Sequence, residues 1–189
     1  MTIIIVDNGK GAQNIAAIVR GSKIVKPTSI PENEDGYILS DGVLDKKLEK
    51  INIEFIQKTD KPILGIGIGA VYLAEAFEAK TKPFAGAVKN DRLMMKQRSG
   101  LLLDVNKVIM VVCDTKTTID ALPECFGIIA SSPKNPFAMF EYGRNIEVEV
   151  DEPLPFTGLL FNPEMGGDGL VILKNYHKFV TEVWSKYHK

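Results

Sequence analysis

Apolar and polar positions come in alternating blocks along the first half of the chain. "TIIIVD" (2–7) is a solid apolar run closed by a carboxylate and predicts a buried strand. "AQNIAAIVRG" predicts a short helix ended by Gly21, and "SKIVKP" and "GYILS" predict two more strands. "LDKKLEKINIEFIQK" sets Leu44, Leu48, Ile51 and Phe55 on one helical stripe. "KPILGI" is again wholly apolar, and "AVYLAEAFEA" continues as a helix beyond a loop with Gly65, Gly67 and Gly69 at every second position. Strand and helix in alternation predict parallel pairing with helices on both faces of a sheet.

The second half reads differently. "FAGAV", "NKVIMVV", "FGIIAS", "FAMFEY", "NIEVEV" and "FTGLLF" are short strand-like runs separated by Pro, Gly, Asn or Asp. The alternation in "IEVEVD" predicts a strand with one wet face. "KNDRLMMKQR" (89–98), with Lys89, Arg92, Lys96 and Arg98 around Met94 and Met95, reads as a solvated loop or as a partner-docking surface. A long terminal helix, "GLVILKNYHKFVTEVWSKYHK", carries Leu170, Leu173, Tyr176, Val180 and Trp184 on one stripe, with Asp168 as its cap. The whole predicts a single α/β domain over residues 1–189: an open, mostly parallel (mixed) sheet of flavodoxin-like type.

Composition narrows the functions more than the fold. At 45% hydrophobic and 25% charged, the 189 residues are ordinary for a globular chain. A net charge of -1 supplies no field to recruit nucleic acid or an anionic membrane, and neither is expected as a partner. No apolar run has the length of a transmembrane helix and none at the N-terminus reads as a signal peptide, so the chain reads as cytoplasmic. Cys113 and Cys125 lack metal-ligand spacing and read as reduced thiols. His177 and His188 both fall in the terminal segment, and neither a metal nor a cofactor is expected.

The glycine loop admits three readings. Gly65, Gly67 and Ala70 satisfy the G-x-G-x-x-[GA] spacing of a nucleotide-binding turn between strand and helix, with Asp91 about 20 positions on. Gly65-Ile66-Gly67-Ile68-Gly69 equally fits a nucleophile elbow, G-x-[nucleophile]-x-G, whose centre is here a glycine. The third reading is a tight turn that packs helix on strand and binds nothing.

A second motif bears on the choice. "TIIIVDNGKGAQN", "KPILGIGIGAVYLAEAF" and "LLFNPEMGGDGLVILKNYHKFV" (159–180) together resemble the class I glutamine amidotransferases, in particular the stand-alone glutaminase subunit of archaeal-type GMP synthase. That family reads P-I-L-G-I-C-L-G-H-Q at the elbow and F-H-P-E before a G-x-x-I-L-x-N-F helix. In it a cysteine thiolate attacks the glutamine amide, the histidine of F-H-P-E is the base, the glutamate orients the histidine, and ammonia passes to a partner synthetase. The resemblance puts Gly67 at the cysteine position, Asn162 at the histidine position and Glu164 at the glutamate position. It puts Val71 where the family has a substrate-binding glutamine, and Asp114 and Thr115 where it has a Ser-His pair. The oxyanion loop S-G-G-P corresponds to Ser40-Asp41-Gly42-Val43, facing Gly65, Ile68 and Gly69 of the elbow.

Glycine forms no acyl-enzyme, and a neutral amide is no general base near pH 7. The resemblance therefore implies a catalytically silent relative that binds a synthetase, another protein or a second copy of itself. A small ligand in the vacated pocket is also implied, the pocket being roomier and less polar at its floor for having Gly67 and Val71. Alternatives are an enzyme using other residues, with Glu164 acting beside Asp41 or Asp114 or with Cys113 as a transplanted thiol, and a nucleotide binder using the GIGIGA loop.

Overall fold

The computed structural model describes residues 1–85 and 88–187; the middle of "FAGAV" and His188 lie outside the described residues. The chain opens with β1 (Ile3–Val6), β2 (Gly9–Lys10), α1 (Ala12–Ile18), β3 (Lys23–Val25), β4 (Gly36–Leu39), β5 (Asp41–Gly42), α2 (Lys46–Ile56), β6 (Ile63–Ile66) and α3 (Ile68–Glu75). It continues through β7 (Thr81–Pro83), β8 (Val88–Met95), β9 (Val108–Cys113), β10 (Thr117–Ile119), β11 (Phe126–Ser131), β12 (Met139–Tyr142), β13 (Phe156–Leu159) and α4 (Gly169–Lys178). Nine strands make one sheet in the order β3-β1-β4-β6-β13-β12-β11-β8-β9. The first five are parallel to one another, and every later pairing is antiparallel.

Burial explains the solid apolar runs. All four residues of β1 are buried because both faces of the strand are covered. Ile3 and Ile5 pack with Ile15 of α1 and Leu173 and Tyr176 of α4; Ile4 and Val6 pack with Ile56 of α2 and the buried face of α3. Helices therefore lie on both faces, as the alternation predicts.

Register sets the site. Val6 pairs with Leu39, Leu39 with Gly65, and Ile66 with Leu159, so β1, β4, β6 and β13 end at one level. The segments leaving these ends supply Lys10, Asp41, Gly67 and Asn162. In open α/β sheets the carboxyl edge of the parallel strands is where ligands bind.

Five expectations need correction. The wet strand at "NIEVEV" does not form: residues 145–150 are turn and irregular chain, with Ile146 94% exposed. Both edges of β12 and of β13 are already paired, so the alternating run has no partner to join there. "KNDRLMMKQR" is not a loop, since residues through Met95 belong to β8; Asp91 and Leu93 point inward while Arg92 and Met94 stay exposed. Leu44 lies before α2 and is exposed, and the helix buries Asn52 and Ile56 instead.

Asp45 caps α2, accepting from the Lys47 and Leu48 amides at 2.8 and 3.0 Å, but the Asp168 side chain does not cap α4. Its Oδ2 accepts from the Met110 amide at 2.7 Å while its own amide donates to the Met110 carbonyl at 2.8 Å, which ties the loop to the outer edge of β9. The terminal helix is not α-helical throughout, for Phe179–Trp184 is wound as π-helix. Its stripe holds nonetheless: Leu173, Tyr176 and Val180 are buried, and Leu170 and Trp184 half-buried.

Two short ribbons escape the sequence pattern, because two or three residues carry no periodicity. One pairs β7 with β10. The other pairs β2 with β5, Lys10 opposite Asp41 and Gly9 opposite Gly42, and it builds one wall of the site.

Candidate functional site

The elbow comes first, because its glycines have separable causes. A side chain on Gly65 would lie 2.7 Å from the Ala70 Cα, and one on Gly69 would lie 2.2 Å from the Leu39 carbonyl oxygen. These two glycines let α3 dock closely on β4 and β6. Gly67 is different: it takes φ 54° and ψ -115°, the strained strand-to-helix turn of an elbow. Its amide donates to the Leu159 carbonyl at 2.8 Å, fixing the turn to the neighbouring β13.

The space in front of Gly67 is not open. A Cβ there would stand 2.1 Å from Asp41 Oδ1 and 2.3 Å from its Cγ. Asp41 is 1% exposed, and its Oδ1 accepts from the Ile68 amide, the first N–H of α3, at 2.9 Å. The carboxylate thus occupies the anion-attracting end of the helix. This corrects the expected roomy, weakly polar floor. It also weakens the nucleotide reading, since the amide that would meet a phosphate already serves Asp41. Val71, expected at that floor, is buried in the core between α3 and the sheet.

Three further groups close around Asp41. Asn162 Nδ2 donates to Asp41 Oδ2 at 3.0 Å, and Asn162 Oδ1 accepts from the Asp114 amide at 2.7 Å. With a second, longer bond from Nδ2 to Glu164 Oε1 at 3.5 Å, both ends of the amide are engaged. Lys10 Nζ lies 3.3 Å from Asp41 Oδ2 and donates to Asp114 Oδ2 at 2.8 Å and to the Asp114 carbonyl at 2.9 Å.

Burial works against the Lys10 ammonium, yet the Asp114 hydrogen bond and the Asp41 charge outweigh it and hold its pKa above the usual lysine range. The Lys10 hydrogen bond correspondingly pulls the Asp114 carboxyl below its ordinary range. Glu164 goes the other way. Burial, with the Asp41 charge adding to it, pushes its pKa up to about 7 against the hydrogen bonds that oppose it. Its Oε2 is buried with no hydrogen-bond partner among the described residues.

The remaining predicted residues divide. Ser40 is buried, its Oγ accepting from the Asn8 amide at 2.9 Å and donating to the Asp41 carbonyl at 3.1 Å, so it braces the loop rather than facing the turn. Gly42 is there because a side chain would meet the Asn8 carbonyl oxygen at 2.0 Å. Thr115 turns away, buried, with its hydroxyl on the Thr117 carbonyl at 3.2 Å.

Cys113 is fully buried, its thiol on the Leu160 carbonyl at 3.5 Å, and burial pushes its pKa up to about 11. That is the opposite of an activated thiol. Lys10 is the functional residue the sequence reading passes over. The available signal was a lysine between two glycines directly after the first strand, with Gly11 so close to Glu164 Oε1 that a Cβ would lie 2.6 Å from it.

Chemically the site is a closed charge network, Lys10 between Asp41 and Asp114 with Asn162 bridging, around a turn that bears no nucleophile. Among the described residues no group of three or more His, Cys, Asp or Glu is arranged to hold a metal ion. No helix among them is long and apolar enough to cross a membrane.

A parallel sheet with helices on both faces and a strained elbow at its carboxyl edge defines a protein of amidotransferase type. Residues 4–165 match the family model for glutamine amidotransferase class-I, and the chain belongs to that family. It is 33% identical over 190 residues to a glutamine-hydrolyzing GMP synthase of Phocaeicola vulgatus, covering 92% of this chain but only 35% of that protein. It is 28% identical over 194 residues to a separately encoded subunit of the glutamine-hydrolyzing GMP synthase of Methanosphaera stadtmanae, covering 94% of this chain and 97% of that one. The chain therefore spans about a third of one relative and nearly all of the other. Among solved structures, a Thermoplasma acidophilum protein assigned as a GMP synthase subunit superposes with a TM-score of 0.85 at 21% identity, over 100% of this chain and 98% of that one. A glutamine amidotransferase of Thermotoga maritima gives 0.70 at 16% identity, over 100% and 86%.

Proposed function

We propose that the protein is a catalytically silent glutamine amidotransferase-like subunit that works by binding a synthetase. The observation that carries this reading is the Asp41 carboxylate. It lies 2.1 Å from where the first side-chain atom of residue 67 would be, and it accepts from the Ile68 amide, a donor suited to an oxyanion. Gly67 thus stands at the nucleophile position without a nucleophile, and the space a thiol needs is filled. Asn162, at the base position, has both ends of its amide engaged and holds no proton to exchange near neutral pH. Glu164 remains without a histidine to orient.

The relationship to a GMP synthase subunit, matched over nearly its whole length, supports a synthetase as the partner. The exposed residues Arg92 and Met94 of β8 are candidates for the docking face. Residues 1–189 act as one amidotransferase-like unit on this reading.

The test is ammonia release from glutamine by the purified chain, alone and mixed with the synthetase from the same source. No turnover above the buffer blank is expected, together with a stable complex by analytical ultracentrifugation. Sustained ammonia release by the wild-type chain would overturn the proposal. Gly67→Cys with Asn162→His is expected to stay inactive, because Asp41 still fills the turn and Val71 and Thr115 still stand where the family contacts its substrate.

One observation favours a second reading. A buried carboxyl titrating near pH 7, Glu164, beside the Lys10 ammonium has the makings of a general acid. Hydrolysis of a substrate amide or ester that is lost on Glu164→Gln and retained in Cys113→Ala would favour it.

A further inference from the structure

A second cavity lies at the opposite end of β13 from the elbow. It has a volume of about 370 Å³, within the roughly 300–1,000 Å³ range of small-molecule sites. Its walls are mostly apolar: Leu101, Leu103, Leu154, Phe156, Phe179 and Val183. Phe179 and Val183 come from the π-helical stretch, a distortion that recurs at functional sites. Asn175 braces the wall, its Nδ2 donating to the Leu101 and Leu103 carbonyls at 3.0 and 2.8 Å.

One charged group faces this apolar space from the end of β12. The Glu141 side chain is 16% exposed, and burial raises its pKa above the ordinary range. Its Oε1 accepts from the Ser99 hydroxyl. Among the described residues its Oε2 has only the Arg144 guanidinium, 3.8 Å away and beyond hydrogen-bond distance, and that guanidinium donates instead to the Arg98 carbonyl. The other titratable groups of the lining are Lys178, which is exposed, and the Tyr142 hydroxyl. A carboxylate with an unfilled acceptor at the end of an apolar cavity is complementary to a donor-bearing cation on an apolar body.

We infer that this cavity is a binding site for a small aryl- or alkylamine, the apolar body packed against Leu103, Phe156 and Phe179 and the ammonium donating to Glu141 Oε2. The site shares no residue with the elbow network and does not depend on the assignment of the elbow.

The test uses 3-phenylpropylamine as probe, with 3-phenylpropionate as the charge-reversed control, both followed by ligand-observed NMR titration. Trp184, the single tryptophan, stacks near Phe179 with ring centroids 6.3 Å apart and gives an independent fluorescence readout in the wild type. Saturable one-to-one binding of the amine is expected, at least about tenfold tighter than the carboxylate, a margin one charge-assisted hydrogen bond supplies. Glu141→Gln should weaken the amine about tenfold while leaving the carboxylate no weaker. Leu103 is 62% exposed at the rim, so Leu103→Trp folds and should abolish binding by filling the mouth. Equal affinity for the two probes, unchanged binding in Leu103→Trp, or no saturable binding of the amine would each overturn the inference.

Discussion

The packing of Asp41 against Gly67 makes a quantitative prediction for a double-mutant cycle of Gly67→Ala and Asp41→Gly. In Gly67→Ala the new methyl would lie 2.1 Å from Asp41 Oδ1, so the carboxylate must leave. Leaving breaks its bonds from the Ile68 amide at 2.9 Å and the Asn162 amide at 3.0 Å and its 3.3 Å approach to Lys10. Hydrogen bonds to a charged group are worth about 1.5–3 kcal/mol each, and a non-glycine residue held at φ 54° adds about 1–3 kcal/mol of backbone strain. The single variant should therefore lose about 3–6 kcal/mol.

Asp41→Gly alone strands Lys10, Asn162 and the Ile68 amide, at about 3–5 kcal/mol. In the double variant there is no clash and no carboxylate left to displace. The hydrogen bonds are lost once instead of twice, and only the backbone strain adds. The double should therefore be more stable than the sum of the singles by about 1.5–3 kcal/mol. Urea unfolding, with free energies compared at constant m, reads the cycle directly. Additivity to within about 0.5 kcal/mol would refute the argument.

Three further outcomes follow from groups on either side of that turn. Glu164 binds a proton in the native state up to about pH 7 that the unfolded chain releases near 4.5, so its contribution is greatest below 4.5 and is lost as pH rises through 7. Glu75, pushed up to about 7 by burial and the Glu49 charge, acts in the same direction. Glu164→Gln should flatten the fall in unfolding free energy across that window by about 1–3 kcal/mol, at about 1.4 kcal/mol per pH unit, and a slope identical to wild type would contradict the assignment. Asp168→Ala should cost about 1–2 kcal/mol through the lost bond to the Met110 amide, with hydrogen exchange at Met110 accelerating and the first turn of α4 unaffected. Thiol titration of the native protein should label Cys125 first and leave Cys113 unreacted until the chain unfolds; prompt labelling of both would contradict the burial of Cys113.

How much of this could be read along the chain depends on the range of the interaction. Where periodicity runs for four residues or more and both faces are covered, as in β1, β4 and β6, the apolar runs announce buried parallel strands without any tertiary input. Where alternation exists but no strand edge is free, as at residues 145–150, the same signal misleads, because pairing is decided by what else occupies the sheet. β8 shows the converse. Its charged and methionine residues hide the Asp91–Leu93 inward face, and only the neighbouring β9 and β11 reveal it.

By itself the sequence determined the class of fold, the elbow between Gly65 and Gly69, and the fact that neither a thiol nor an imidazole stands at positions 67 and 162. These are properties of local pattern and residue chemistry, and they hold before the chain is folded. What fills the turn was decided only in three dimensions. Asp41 reaches the Ile68 amide from 27 residues away and the Asn162 amide across 121, and Lys10 meets Asp114 across 104. No periodicity encodes such contacts, since they arise where the ends of β1, β4, β6 and β13 come level. The turn that looked empty in the sequence is occupied in the fold, by a carboxylate from the strand beside it.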